Sequence, residues 1–245
     1  MKSFGVTDRG TVRAENQDSF MLEYLRRRDC QAAVLCDGMG GANAGSIAST
    51  LASKTYMSYL LEHIQASRAK TPDIRLHMVN ACNKANDIVY SYSCFNTEYT
   101  GMGTTLVAAT LMGSQAVIAN VGDSRAYHIS HHRITQVTKD HSYVQTLVDK
   151  GIIIPEKAQH HPKKNVLMQA LGAEDGAQCD IFTLRLGLGD RLILCSDGLS
   201  NCVDNAQILA AAEKYKSPET LSKKLIELAL AAGAKDNVTV ITLSR

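Results

Sequence analysis

Five acids sit beside glycines or at the ends of apolar runs: Asp18 in ENQDSF, Asp37 in CDGMGG, Asp123 in VGDSRA, Asp197 in CSDGLS and Asp236 in AKDNVT. Three are delivered by an apolar run, in AAVLCDG, VIANVGDS and LILCSDG. A strand that hands over an Asp and then turns on a Gly sets that carboxylate at the rim of a sheet. The glycine lets backbone, water or a metal come close. Taken singly, an Asp-Gly pair is ordinary turn chemistry. Gathered at one end of a sheet, five carboxylates would repel one another, so a cation is their natural companion. Oxygen donors without a Cys or His motif favour a hard ion, Mg2+ or Mn2+, over zinc.

The elements that would carry these acids are short apolar runs at 2–7, 18–24, 31–37, 104–111, 115–120, 125–130, 180–186, 190–195 and 237–243. They read as strands, several parted by turn signals such as MGSQ (112–115) and GLGD (187–190). On this reading the strand 31–37 ends at Asp37, and the chain turns sharply on the glycines that follow. The runs 104–111 and 115–120 make a hairpin, which points to antiparallel sheets.

Apolar residues spaced three and four apart predict a helix over 44–66 through Ile47, Leu51, Met57, Leu60, Leu61 and Ile64. A second follows over 73–92 through Ile74, Met78, Cys82, Ala85, Ile88 and Val89, opened by Asp73 after Pro72. Ser217 with Pro218 opens a third through Leu221, Leu225, Leu228 and Ala232, and Gly233 stops it. Strands, two helices, strands, an irregular stretch, strands, a helix and a last strand predict an α+β domain with helices covering packed antiparallel sheets. A doubly wound nucleotide-binding fold would alternate strand and helix regularly, and this order does not. The stretch 138–178, with QHHPKKN at its centre, is the least regular, and loops of that length inside a compact domain are commonly functional.

Composition narrows the class. The 245 residues suffice for one large domain, and 45% hydrophobic with 20% charged residues is globular rather than disordered. Lys plus Arg (26) nearly balances Asp plus Glu (24), so the net charge of +2 gives no reason to expect a nucleic-acid partner. No apolar run approaches the roughly 18 residues of a membrane span. MKSFGVTDRG at the start lacks the apolar core of a signal peptide. Seven scattered cysteines (Cys30, Cys36, Cys82, Cys94, Cys179, Cys195 and Cys202) with no C-x-x-C pair read as reduced thiols in a cytoplasmic protein.

RAENQD (13–18), CDGMGGANAG (36–45), TGMGTTLV (100–107), NVGDSRAY (120–127), TKDHS (138–142), CSDGLS (195–200) and AKDNVTV (234–240) stand in a familiar order. That order and spacing resemble the metal-dependent Ser/Thr protein phosphatases, the type 2C or PPM family, in their short bacterial form. The likeness runs from about residue 3 to residue 243. It implies a single domain over 1–245, a central β-sandwich of two antiparallel sheets flanked by helices on both faces, and a metal centre at one end. It also implies a mobile flap around 138–172 that influences substrate choice.

Carried over by position, the resemblance makes Asp37 the carboxylate bridging two Mn2+ or Mg2+ ions, with the Gly38 carbonyl on one of them. Asp197 and Asp236 become further ligands, and Asp18 an outer-shell acceptor for metal-bound water. Asp123, with Asp197, would hold a third, weaker ion, and Asn237 would help orient the site. Arg13 would bind the substrate phosphate, since a planar guanidinium grips two phosphoryl oxygens at once. Arg125 would be structural, paired with a neighbouring acid. Two ions roughly 3.5–4 Å apart lower the pKa of a shared water and make hydroxide available for in-line attack. Cys30, Cys36 and Cys195 lack the Cys-x5-Arg pattern of a loop that forms a phosphoenzyme.

The implied activity is hydrolysis of phosphoserine and phosphothreonine in proteins by a monomer, opposing a bacterial Ser/Thr kinase and acting on that kinase and its substrates. Departures from the family pattern fall at Ala42, where a His is common, at Ser46, where Glu is usual, at Met39 and at Gln169. No expected ligand is lost. Two rivals remain open: a phosphoprotein-binding module without catalysis, and a metal-dependent hydrolase of small phosphorylated metabolites. His141, His160 and His161 read as surface or flap-packing residues, His131 and His132 as a hairpin tip, and Arg26–Arg28 as a charged tip.

Overall fold

The apolar runs become strands in the structure, a computed structural model that describes residues 2–41, 44–69 and 72–245. One antiparallel sheet contains β1 (Lys2–Asp8), β7 (Arg125–Ser130), β8 (Arg133–Gln136), β10 (Arg191–Cys195) and β11 (Val238–Ser244), ordered β1-β11-β10-β7-β8. The other contains β2 (Asp18–Leu25), β3 (Cys30–Met39), β5 (Leu106–Met112), β6 (Gln115–Val121) and β9 (Asp180–Arg185), ordered β2-β3-β5-β6-β9. A two-residue β4 (Gly103–Thr104) pairs with the end of β3.

Strand periodicity explains why β3 is apolar almost throughout. Alternate residues face opposite ways. Ala33 and Leu35 meet Leu192, Leu194, Ile241 and Leu243 between the two sheets. Ala32, Val34 and Cys36 face outward, under α1 (Ala44–Ala66) and α2 (Ile74–Phe95), against Tyr56, Met57, Met78 and Val89. On the far face of the other sheet, Ile208 of α6 (Asn205–Lys214) and Leu221, Leu225 and Ala229 of α7 (Pro218–Ala231) cover Ile193, Cys195 and Val240. Leu225 is fully buried, so Leu225→Ala removes packing worth about 2–5 kcal/mol. The result is two antiparallel sheets face to face with helices outside each, the α+β architecture expected.

Helix ends follow local chemistry. The Asp73 carboxylate accepts the Leu76 N–H at 3.2 Å, and the Ser217 hydroxyl accepts the Thr220 N–H at 3.1 Å with Pro218 at the first helical position. Gly233, at φ +80, follows the last turn of α7. His131 and His132 form the β7–β8 tip with φ of 47° and 59°.

Three expectations are corrected. β3 does not end at Asp37: Gly38 and Met39 stay in the strand, paired with Thr104 and Gly103, and the turn falls at Gly40, φ +145. The stretch 138–178, read as one long irregular loop, instead contains α3 (Tyr143–Asp149) and α4 (Pro155–Ala158) and is pinned by bridges Ser142–Leu167 and Thr104–Leu171. The helix α6 was not expected; its Asp204–Gln207 capping box, at 2.8 and 3.0 Å, starts it. Arg26–Arg28 forms a 3₁₀ turn. Among the described residues no helix is long and apolar enough to cross a membrane.

Candidate metal centre

Each acid reaches the same end of the sandwich from a different element. Asp37 projects from β3, Asp18 opens β2, and Asp123 lies in the β6–β7 turn. Asp197 opens the one-turn α5 (Asp197–Ser200) behind β10, and Asp236 stands two residues before β11. Asp37, Asp123, Asp197 and Asp236 line one cleft of about 400 Å3, together with Arg13, Gly38 and Asn237. Asp123 and Asp197 also line an adjoining cleft.

The backbone around Asp37 is locked. Its N–H donates to the Thr105 hydroxyl at 3.0 Å, and its carbonyl accepts from the Thr105 N–H and the Thr104 hydroxyl, both at 2.9 Å. Among the described residues its carboxylate has no hydrogen bond. Asp18 is the register partner of Asp37 across β2–β3. One oxygen of Asp18 accepts the Ser196 and Thr239 hydroxyls at 2.8 and 2.6 Å; the other is buried without a partner. Gly38 tolerates nothing larger, because a Cβ there would lie 2.0 Å from the Gly45 carbonyl oxygen.

Asn237 ties down the loop that carries Arg13. Its amide donates to the Arg9 and Glu15 carbonyls, each at 2.9 Å, and accepts the Gln17 N–H at 2.8 Å. Arg13 itself contacts Asp236 at 2.8 Å. Arg125 is bidentate on Asp140, with Nη2 at 2.7 Å, which fits its structural reading. His141 accepts the Gly122 N–H at 3.2 Å and contacts Asp180 at 3.2 Å, so it braces the turn that holds Asp123.

The electrostatics are those of an under-compensated anion site. Burial, then Asp18, Asp197, Asp123 and Asp236, raises Asp37 well above the usual carboxylate range. Burial, then Asp197 and Asp140, pushes Asp123 up to about 7, with Arg125 opposing. Burial first raises Asp197 to about 6, helped by Asp236 and opposed by Asn201 and Lys164. Burial raises Asp18 to about 6 despite its two hydroxyl donors.

Among the described residues no three side chains of His, Cys, Asp and Glu form a group that could hold one ion. A bound ion would therefore complete its shell with carbonyl and water oxygens, as hard divalent cations do. The unpartnered Asp18 oxygen, the free Asp37 carboxylate and the all-oxygen donor set fit such ions. Sequence reasoning missed Asn201, which donates to Asp197 at 3.0 Å and accepts from Lys164 at 3.2 Å. It also missed Thr105, Ser196 and Thr239, although all three lie inside the quoted motifs. The departure at Ala42 lies outside the described residues.

Comparisons with known proteins point to one family. The family model described as protein phosphatase 2C matches residues 9–235. The serine/threonine phosphatase stp of Listeria monocytogenes serotype 4b (strain F2365) is 39% identical over 243 residues, covering 98% of this chain and 94% of that protein. The crystal structure of the serine/threonine phosphatase Stp1 from Staphylococcus aureus superposes with a TM-score of 0.90 at 37% identity, covering 99% of this chain and 94% of the other. The catalytic domain of the phosphatase PstP in complex with two manganese ions gives 0.84 at 34% identity, covering 98% and 96%.

Proposed function

The chain belongs to the protein phosphatase 2C family, and from that premise we propose that it hydrolyses phosphoserine and phosphothreonine in proteins at the acid-lined cleft. It is a metal-dependent serine/threonine phosphatase. Asp37, the Gly38 carbonyl, Asp197 and Asp236 would hold two ions, manganese or magnesium, with Asp18 behind them accepting from their waters, and Asp123 with Asp197 would hold a third. Ions held there supply a water made acidic enough to attack phosphorus, and positive charge facing the phosphoryl oxygens.

The chain's own residues do the rest. The β3 ladder and the threonine bonds hold the Asp37 backbone in place, so its carboxylate is presented from a fixed point at the cleft. Arg13, half-exposed beside the acids, offers its guanidinium fork to two phosphoryl oxygens once Asp236 is otherwise engaged. Asn237 keeps the loop of Arg13 in register with the cleft. The residues 138–172 act as a flap over the cleft and influence which phosphoproteins enter. The protein works as a single domain and a monomer in the cytoplasm, and it opposes a bacterial Ser/Thr kinase.

The observation that carries this reading is the convergence of Asp37, Asp123, Asp197 and Asp236 with Arg13 on one cleft. The test compares phosphate release from a phosphothreonine peptide with release from sugar phosphates, both with Mn2+. The reading expects kcat/KM on the peptide to exceed that on sugar phosphates by at least about tenfold. The reverse order would make the protein a hydrolase of small metabolites.

A further inference from the structure

Cys82 and Cys179 are 97 residues apart in sequence, yet their sulfurs approach to 3.0 Å. Cys82 is fully enclosed on the inner face of α2. Cys179 sits just before β9 and is partly exposed. Its neighbours Ala177 and Gln178 line a cleft of about 360 Å3 that opens beside Met39. A disulfide needs about 2.05 Å between sulfurs, so closure requires about 1 Å of movement. All seven cysteines are free thiols.

We propose that Cys82 and Cys179 form an oxidisable dithiol, a modification site whose oxidant is a low-molecular-weight disulfide. This inference is independent of the phosphatase reading. The order of events follows from access. Burial and the adjacent Cys179 hold the Cys82 thiol well above its ordinary pKa, so it stays protonated and shielded. Cys179 meets the reagent first. Its thiolate attacks one reagent sulfur and expels one small thiolate, which takes up a proton, and a mixed disulfide remains. The Cys82 sulfur then attacks the Cys179 sulfur, and its proton passes to the second small thiolate as that leaves. The protein has lost two electrons and two protons, and one small disulfide has become two small thiols.

The bond would fasten a region that α2 already holds by hydrogen bonds. Asn86, one turn along from Cys82, accepts the Gly172 N–H at 2.8 Å and donates to the Glu174 carbonyl at 3.2 Å. Closure therefore ties α2 to both ends of residues 172–179.

The test uses the folded protein carrying Cys94→Ser, which removes the exposed thiol. It is incubated with glutathione disulfide, quenched by alkylation and mapped by mass spectrometry without reduction. The expected result is a Cys82–Cys179 cross-linked peptide pair, an intact mass lower by two hydrogens, and reversal by dithiothreitol. Adding Cys82→Ser should leave Cys179 as a stable glutathione adduct, because nothing resolves the mixed disulfide. Recovery of Cys82 and Cys179 as alkylated free thiols, under conditions that modify Cys94 in the parent protein, would overturn the proposal. If the Cys82→Ser protein does not fold, the map of the Cys94→Ser protein decides alone.

Discussion

Asp18 stands directly opposite Asp37 in the β2–β3 ladder. Like charges facing each other across a sheet are destabilising. The fold keeps the pair by giving one Asp18 oxygen two hydroxyl donors and leaving the other oxygen without a partner. Asp123, Asp197 and Asp236 add to the same field. Such an arrangement sacrifices stability in the protein alone and recovers it when a divalent cation arrives.

Asp37→Asn should therefore separate stability from function. In EDTA the variant is expected to be more stable than the wild type, since it removes a carboxylate whose charge is disfavoured by burial and by Asp18, Asp197, Asp123 and Asp236. In Mn2+ the order should reverse, because the variant gains little from the ion. Urea melts in both conditions read this directly. A variant less stable than wild type in EDTA would mean that the Asp37 carboxylate is not under repulsion.

Without ions, stability should fall as pH rises. Asp18 and Asp197 are pushed up to about 6 and Asp123 to about 7, from 3.8 in the unfolded chain. Between those limits the native state holds more protons than the unfolded state, so unfolding free energy declines with pH and is lowest above about 7. Thermal melts in EDTA should show a lower Tm at pH 8 than at about pH 5.5, and saturating Mn2+ should raise the pH 8 value most. A Tm in EDTA that rises over this range would contradict the assignment.

Arg13→Ala should act on substrate rather than on the fold. Its pair with Asp236 is exposed, 55% and 40% for the two side chains, so its loss should change stability by less than about 0.5 kcal/mol. The KM for a phosphothreonine peptide should rise, and kcat/KM should fall about 10- to 100-fold. Wild-type KM and kcat in the variant would remove Arg13 from the phosphate site.

Gly38 and Gly41 lie three residues apart, yet their tolerance should differ sharply. A Cβ on Gly38 would meet the Gly45 carbonyl at 2.0 Å and the Gln17 carbonyl at 2.8 Å, whereas at Gly41 nothing lies within 4 Å. Gly38→Ala should cost about 3 kcal/mol or more and abolish metal-dependent activity. Gly41→Ala should stay within about 1 kcal/mol of wild type. Chemical denaturation of the two variants compares them, and equal losses would mean the close approach at Gly38 does not constrain the site.

Much of this was legible in the sequence, for identifiable reasons. Strands buried on both faces, such as β3, announce themselves as continuous apolar runs. The caps at Asp73 and Ser217 are local signals and fell where expected. Asp37, Asp123 and Asp197 were visible because each follows an apolar run and adjoins a glycine, and Asp18 and Asp236 because each stands at the start of one. The end of β3 was misplaced because Gly38 and Met39 are held by β4, a two-residue partner no periodicity can reveal. The approach of Cys82 to Cys179 spans 97 residues and depends wholly on packing. The role of Asn201 escaped because it reaches Asp197 only through the turn of α5.

The most direct test of the metal-centre account is phosphate release from a phosphothreonine peptide by wild type and by Asp37→Asn, each with EDTA and then with Mn2+. The account predicts turnover by wild type only with Mn2+, and a loss of about a thousandfold or more, ~4 kcal/mol in transition-state stabilisation, in the variant. Turnover in EDTA, or a folded Asp37→Asn protein that matches the wild-type rate, would contradict it.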